Sequence, residues 1–134
     1  MELDGKVALV TGGAKRVGRA IALALARNNA DIFLHYNHSV SEAEKTAVEI
    51  RALGKRCELF QADLSKSQDI LKLTTALFSK NHTIDFLINS ASIFPKTPFE
   101  TLTESSWNEC LDTNLKAPLL LSHFLLDHPK LKGR

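Results

Sequence analysis

The segment TGGAKRVG at residues 11–18 holds three glycines and two cations, between an apolar run, KVALV, and a stretch with helical periodicity. A strand, a glycine turn and a helix in that order bring backbone N–H groups and a helix N-terminus to the phosphates of a dinucleotide. Gly12 suits the tight turn and Gly18 suits close packing of helix on strand. Arg16 stands where a further turn glycine is expected, and with Lys15 it adds positive charge beside the phosphates.

A second polar set, Tyr36, Asn37, His38 and Ser39, closes the apolar run DIFLHY, and no carboxylate occurs from 32 to 40. An acid at the end of this strand bonds the ribose 2′-hydroxyl of NAD, whereas a 2′-phosphate is held by cations and donors. Lys15, Arg16, Asn37, His38 and Ser39 therefore favour NADP(H).

These groups need a scaffold, and the periodicity predicts one. KVALVTGG, DIFLHY, CELFQADL and IDFLINSAS read as strands. Between them lie predicted helices over 17–28, with Val17, Ala20, Ile21, Ala24 and Leu25 on its apolar face, and from Ser41 to Gly54. A third follows over 65–79, with Ile70, Leu73 and Leu77 inward. Ser41 with Glu44 reads as a capping box, and Asn28-Asn29 and Gly54 as stops. A Pro-containing loop over 94–98 leads to helical sequence over 103–126, adjusted near Pro118. Alternating strands and helices imply one α/β unit with a parallel sheet and flanking helices.

The bulk properties exclude other classes. In 134 residues, 44% hydrophobic content fits one globular unit, and a net charge of +2 argues against a nucleic-acid partner. The run APLLLSHFLL is too short to span a bilayer. Cys57 and Cys110 lie in no CxxC pattern, so no metal is expected and both read as reduced thiols in a cytoplasmic setting.

Four motifs in order resemble the short-chain dehydrogenase/reductase family. TGGAKRVG is similar to its TGxxxGxG turn, with Arg16 in place of the middle glycine. ADLS carries the equivalent of its adenine-contacting Asp-Leu pair as Asp63-Leu64. INSAS, with Asn89, Ser90, Ala91 and Ser92, resembles the NNAG strand end, and Asn114 in LDTNLKAP matches a helix asparagine of the family's catalytic relay. The likeness implies a Rossmann-type fold and cofactor contacts through Gly12, Lys15, Arg16, Val17, residues 36–39, Asp63, Leu64 and residues 89–92.

Within that family the chain looks most like the pteridine reductases. The shared features are Lys15-Arg16, Leu34-His35-Tyr36 followed by Ser39, and Ala91-Ser92 followed by Phe94 and Thr97-Pro98. That likeness implies Phe94 stacking on a pterin, Ser92 as a polar contact, and Arg16 touching both cofactor and substrate. Ser90 departs from the usual second asparagine, and Ile93 from a small polar residue. A 3-oxoacyl-carrier-protein or other carbonyl reductase is the alternative enzyme, and a non-catalytic nucleotide-binding module is the alternative outside enzymes.

The family's Tyr-x-x-x-Lys pair has no counterpart here, since the only tyrosine is Tyr36 and Val40 stands four positions on. The expectation is an N-terminal cofactor-binding part, truncated after about four strands, with Ser/Asp-Tyr-Lys beyond Arg134. The intact enzyme is expected to act on a small molecule and to form a homo-oligomer.

Overall fold

The computed structural model describes residues 3–79 and 83–128. Four parallel strands, β1 (Val7–Val10), β2 (Asp31–Tyr36), β3 (Cys57–Gln61) and β4 (Phe86–Ile88), form one sheet in the order β3-β2-β1-β4. The crossovers are α1 (Arg16–Arg27), α2 (Val40–Ala52) and α3 (Ser67–Ser79). After β4 come a 3-10 turn (Phe99–Thr101), α4 (Glu104–Leu111), a π turn (Asp112–Lys116) and α5 (Ala117–Asp127).

The inner strands are buried on both faces, which is why they read as continuous apolar runs. Ala8, Val10, Ile32 and Leu34 pack with residues of α1 and α2, whereas Val7, Leu9 and Phe33 pack with residues of α3 and α5. Leu9 lies opposite Phe33 on one side and Leu87 on the other, so β1 is the shared centre. Because β2 and β4 leave β1 in opposite directions, a crevice opens at the carboxyl ends of the strands. Ligands of parallel α/β sheets bind at such a point.

Two helix readings need correction. The buried face of α1 is Gly18, Ala22, Leu23 and Ala26, while Val17, Ala20 and Ala24 are exposed. Small residues win the inner face because α1 must lie against the glycine turn. The Ser41–Glu44 capping box does not form, because α2 starts earlier with Ser39 at its N-cap and no side-chain cap. A capping box is made instead by Thr103 and Ser106 at the start of α4.

The remaining expectations hold more closely. Ile70, Leu73 and Leu77 are all buried on α3. The helical sequence after 103 is interrupted by the π turn, with Pro118 in the first turn of α5, where its missing N–H is least costly. Leu121 and Leu125 of α5 are buried, whereas Leu119 and Leu126 are exposed. No helix among the described residues is long and apolar enough to cross a membrane.

Candidate functional site

The glycine turn is held at every step by groups distant in sequence. The Thr11 N–H donates to the Ile88 carbonyl at 3.0 Å, and the Gly12 N–H to Nδ1 of His35 at 3.1 Å. The Gly13 N–H donates to the His35 carbonyl at 3.0 Å, and buried Thr46 of α2 donates its hydroxyl to the Ala14 carbonyl at 2.9 Å. A Cβ on Gly12, where φ is 61°, would come within 2.8 Å of the Ala91 Cα. A Cβ on Gly18 would collide with the Gly12 carbonyl oxygen. Both glycines are therefore required by close backbone approach, as their spacing suggested.

Arg16 has φ of 53°, in the left-handed region that favours glycine. The arginine thus holds a backbone conformation that a glycine would adopt without steric cost. Its side chain and that of Lys15 are exposed, and among the described residues neither is bonded to a carboxylate. α1 begins with no side-chain cap and no acid in its first turn. Its first N–H groups and the positive end of its dipole therefore face the crevice, a favourable setting for an anion.

A cavity of about 500 Å3 lies there. Gly12, Lys15, Arg16, Val17 and Gly18 line it from the turn, and Asn37, His38 and Ser39 from the end of β2, above His35. Asp63 and Leu64 enter after β3, and Ser90, Ala91 and Ser92 after β4. Glu109 of α4 and Thr113 of the π turn complete the wall. Four of the expected site residues stand outside it. Tyr36 packs on the core, Asn89 is exposed, Phe94 is 95% exposed, and Asn114 lies in the π turn.

Asn114 has a definite task nonetheless. Its Oδ1 accepts from the Ile93 N–H and its Nδ2 donates to the Ile93 carbonyl, each at 2.8 Å. This two-point clamp crosses to the loop after β4 and is not a bond within its own helix. It fixes the backbone between Ser92 and Phe94.

Asp63 accepts from the hydroxyl of Ser65 at 2.7 Å and from its N–H at 3.0 Å. The Ser65 hydroxyl bond, then its N–H and nearby Lys66, hold the Asp63 carboxyl below its usual range despite some desolvation. Sequence reasoning assigned no role to Thr11 or His35, which organise the site from below. Buried Thr11 accepts from the N–H groups of Ser90 and Ala91 at 3.1 and 3.0 Å, binding the β4 strand end to β1. Besides the Leu34-His35-Tyr36 likeness, the signal for His35 was a polar residue at an inward position of an apolar strand.

A parallel sheet with a glycine turn, an uncapped helix N-terminus and a polar crevice at its switch point is a nucleotide-binding α/β unit of the dinucleotide type. The profile of the short chain dehydrogenase family matches residues 6–134. The chain belongs to that family.

Hydroxynaphthalene reductase arp2 of Aspergillus fumigatus is 32% identical over 134 residues, all of this chain and 49% of that protein. The short-chain dehydrogenase/reductase homolog YusS of Bacillus subtilis is 37% identical over 102 residues, 76% of this chain and 94% of that protein. The 3-oxoacyl-[acyl-carrier-protein] reductase FabG of Staphylococcus epidermidis is 33% identical over 111 residues, 83% of this chain and 46% of that protein. Among solved structures, a short chain dehydrogenase from Burkholderia cenocepacia in complex with NADP superposes with a TM-score of 0.89. It is 32% identical, with 96% of this chain and 52% of that one covered. The chain thus spans about half the length of most of these relatives.

Proposed function

We propose that this chain is the NADP(H)-binding part of a short-chain reductase that reduces a carbonyl or imine carbon of a flat, pterin-like ring. The observation that carries the reading is the convergence of Lys15 and Arg16 with Asn37, His38 and Ser39 on one cavity, with no carboxylate at the end of β2. The cradle fits the cofactor. The uncapped start of α1 suits a pyrophosphate, and Gly12 lets the turn run close against the Ala91 backbone on the cavity wall. The relative from Burkholderia cenocepacia, solved with NADP, supports the same choice.

When bound, the nicotinamide supplies the hydride. This chain's own residues bind and orient. Lys15 and Arg16 neutralise phosphate charge, and the polar groups after β2 hold the 2′-phosphate. Asp63 and Leu64, which line the cavity after β3, would hold the adenine part. Ser90, Ala91 and Ser92 line the cavity after β4 and would border the nicotinamide, and Asn114 holds that wall through Ile93. Asn114 is thereby a positioning residue, since both ends of its carboxamide are engaged.

A pterin is favoured by Arg16, Ser92 and Phe94 in the pattern of the pteridine reductases. A second reading, reduction of a ketone, is favoured by Phe94 standing clear of the cavity and by the names of the relatives, hydroxynaphthalene and 3-oxoacyl reductases.

Calorimetric titration of the 134-residue chain is expected to show NADPH binding at least about tenfold tighter than NADH, the effect of one or two charge-assisted contacts. Equal affinities would reject the cofactor assignment. In the complete reductase, Phe94→Ala is expected to raise the KM for a dihydropterin about tenfold and to leave NADPH binding nearly unchanged, as loss of one stacking face implies. An unchanged KM would remove the pterin reading in favour of the ketone.

A further inference from the structure

Among the described residues, one imidazole is buried, and it has no part in that chemistry. His35, on β2, is 2% exposed and lines the cavity beside the glycine turn. Its Nδ1 accepts from the Gly12 N–H at 3.1 Å, and its Nε2 lies 2.9 Å from the Ala62 carbonyl. A carbonyl only accepts, so Nε2 carries the proton and Nδ1 is bare. The ring therefore bridges the glycine turn to the end of β3, where Asp63 follows Ala62.

We propose that His35, neutral and protonated on Nε2, is a positioning residue that sets the glycine turn for the cofactor, and that its protonation releases the turn. A second proton can go only to Nδ1, where it would face the Gly12 N–H, donor against donor. The Gly12 N–H would then lose its acceptor in a buried place, which costs more than the bond contributes. Gly12 cannot shift freely to compensate, since Ala91 blocks one side and Gly18 packs on its carbonyl.

Burial holds the His35 imidazole below its ordinary value, with the Ala62 carbonyl opposing less strongly. The folded value is thus depressed relative to the unfolded one. The contribution of His35 to stability is fully present above about pH 6.5 and is lost as pH falls below that toward the folded value. Other ionisable groups face the same cavity: Lys15 and Arg16 from the turn, His38 from β2, Asp63 after β3 and Glu109 from α4. None of these is bonded to His35 among the described residues, whose partners are Gly12 and Ala62.

The link to affinity rests on the NADP(H) reading, whereas the link to the turn does not. The test separates the two. In the free chain, nitrogen NMR should show Nε2–H at about pH 8, and the Gly12 amide signal should move with the His35 ring at one midpoint below about 6.5. His35→Phe removes the acceptor and should weaken NADPH binding about tenfold, while His35→Asn, whose Oδ1 can replace Nδ1, should recover most of that loss. The 2′-phosphate of NADPH titrates with either protein, so the informative quantity is a difference. Between about pH 8 and one pH unit below the ring midpoint read by NMR, wild type should lose about tenfold more NADPH affinity than His35→Asn. A Gly12 amide indifferent to His35 ionisation, or identical pH profiles for the two proteins, would overturn the proposal. If the ring and Gly12 titrate together but NADPH never binds, the cofactor reading falls and the assignment of the turn stands.

Discussion

Gly18→Ala is expected to destabilise the fold by at least about 3 kcal/mol, a large share of the stability of an ordinary domain. The added methyl would strike the Gly12 carbonyl oxygen and come within 2.8 Å of the Gly12 carbonyl carbon and 3.1 Å of the Gly13 Cα. All three are backbone atoms, so no side chain can rotate away. Either α1 withdraws from the sheet, uncovering Ala22, Leu23 and Ala26, or the turn opens and gives up its bonds to His35 and Thr46.

Helix propensity alone forecasts the opposite sign, since alanine is favoured over glycine in a helix by about 1 kcal/mol. A urea unfolding midpoint above or equal to wild type would therefore refute the packing argument. Gly13→Ala is the useful comparison. Its methyl would meet mainly the Leu34 side chain, 2.8 Å from Cγ, which has some freedom to give. The smaller loss belongs to Gly13.

Arg16→Gly is expected to separate stability from binding. Releasing a residue with a Cβ from φ of 53° relieves on the order of 1–2 kcal/mol, while glycine's extra freedom in the unfolded chain returns roughly 0.5–1. Stability should stay level or rise slightly. The same change deletes a cation from the phosphate side of the cavity. Charge-assisted contacts are worth about 1.5–3 kcal/mol, so NADPH affinity should fall about tenfold to a hundredfold, with NADH affected less. Thermal unfolding of the free chain and paired NADPH and NADH titrations check both halves. A stability loss above about 1 kcal/mol would mean that Arg16 serves the fold. An unchanged ratio of the two affinities would remove its role in cofactor choice.

The arginine illustrates how far local pattern reaches. TGGAKRVG announced a strand, a turn and a helix, because glycines at fixed offsets after an apolar run have few other uses. It could not disclose that Arg16 holds a left-handed backbone, since φ is imposed by the partners of the turn and not by the residue itself. The same limit applies to α1. Several helical faces were apolar in TGGAKRVGRAIALALAR, and only the contact at Gly18 selected the face of Ala22 and Ala26.

The α/β class, the order of its elements, the inward residues of α3 and the polar residues at the ends of β1, β2, β3 and β4 were determined by sequence alone. Each of those rests on short-range periodicity or on residue types at the end of a run. Tertiary structure decided which of the marked residues meet. It drew Lys15, His38, Asp63 and Ser92 into one cavity, left Phe94 in solvent and turned Asn114 onto Ile93. It also gave His35 and Thr11 their tasks beneath the glycine turn. These are pairings across 21 to 80 positions. Strand order and register bring such partners together, and no local pattern records them.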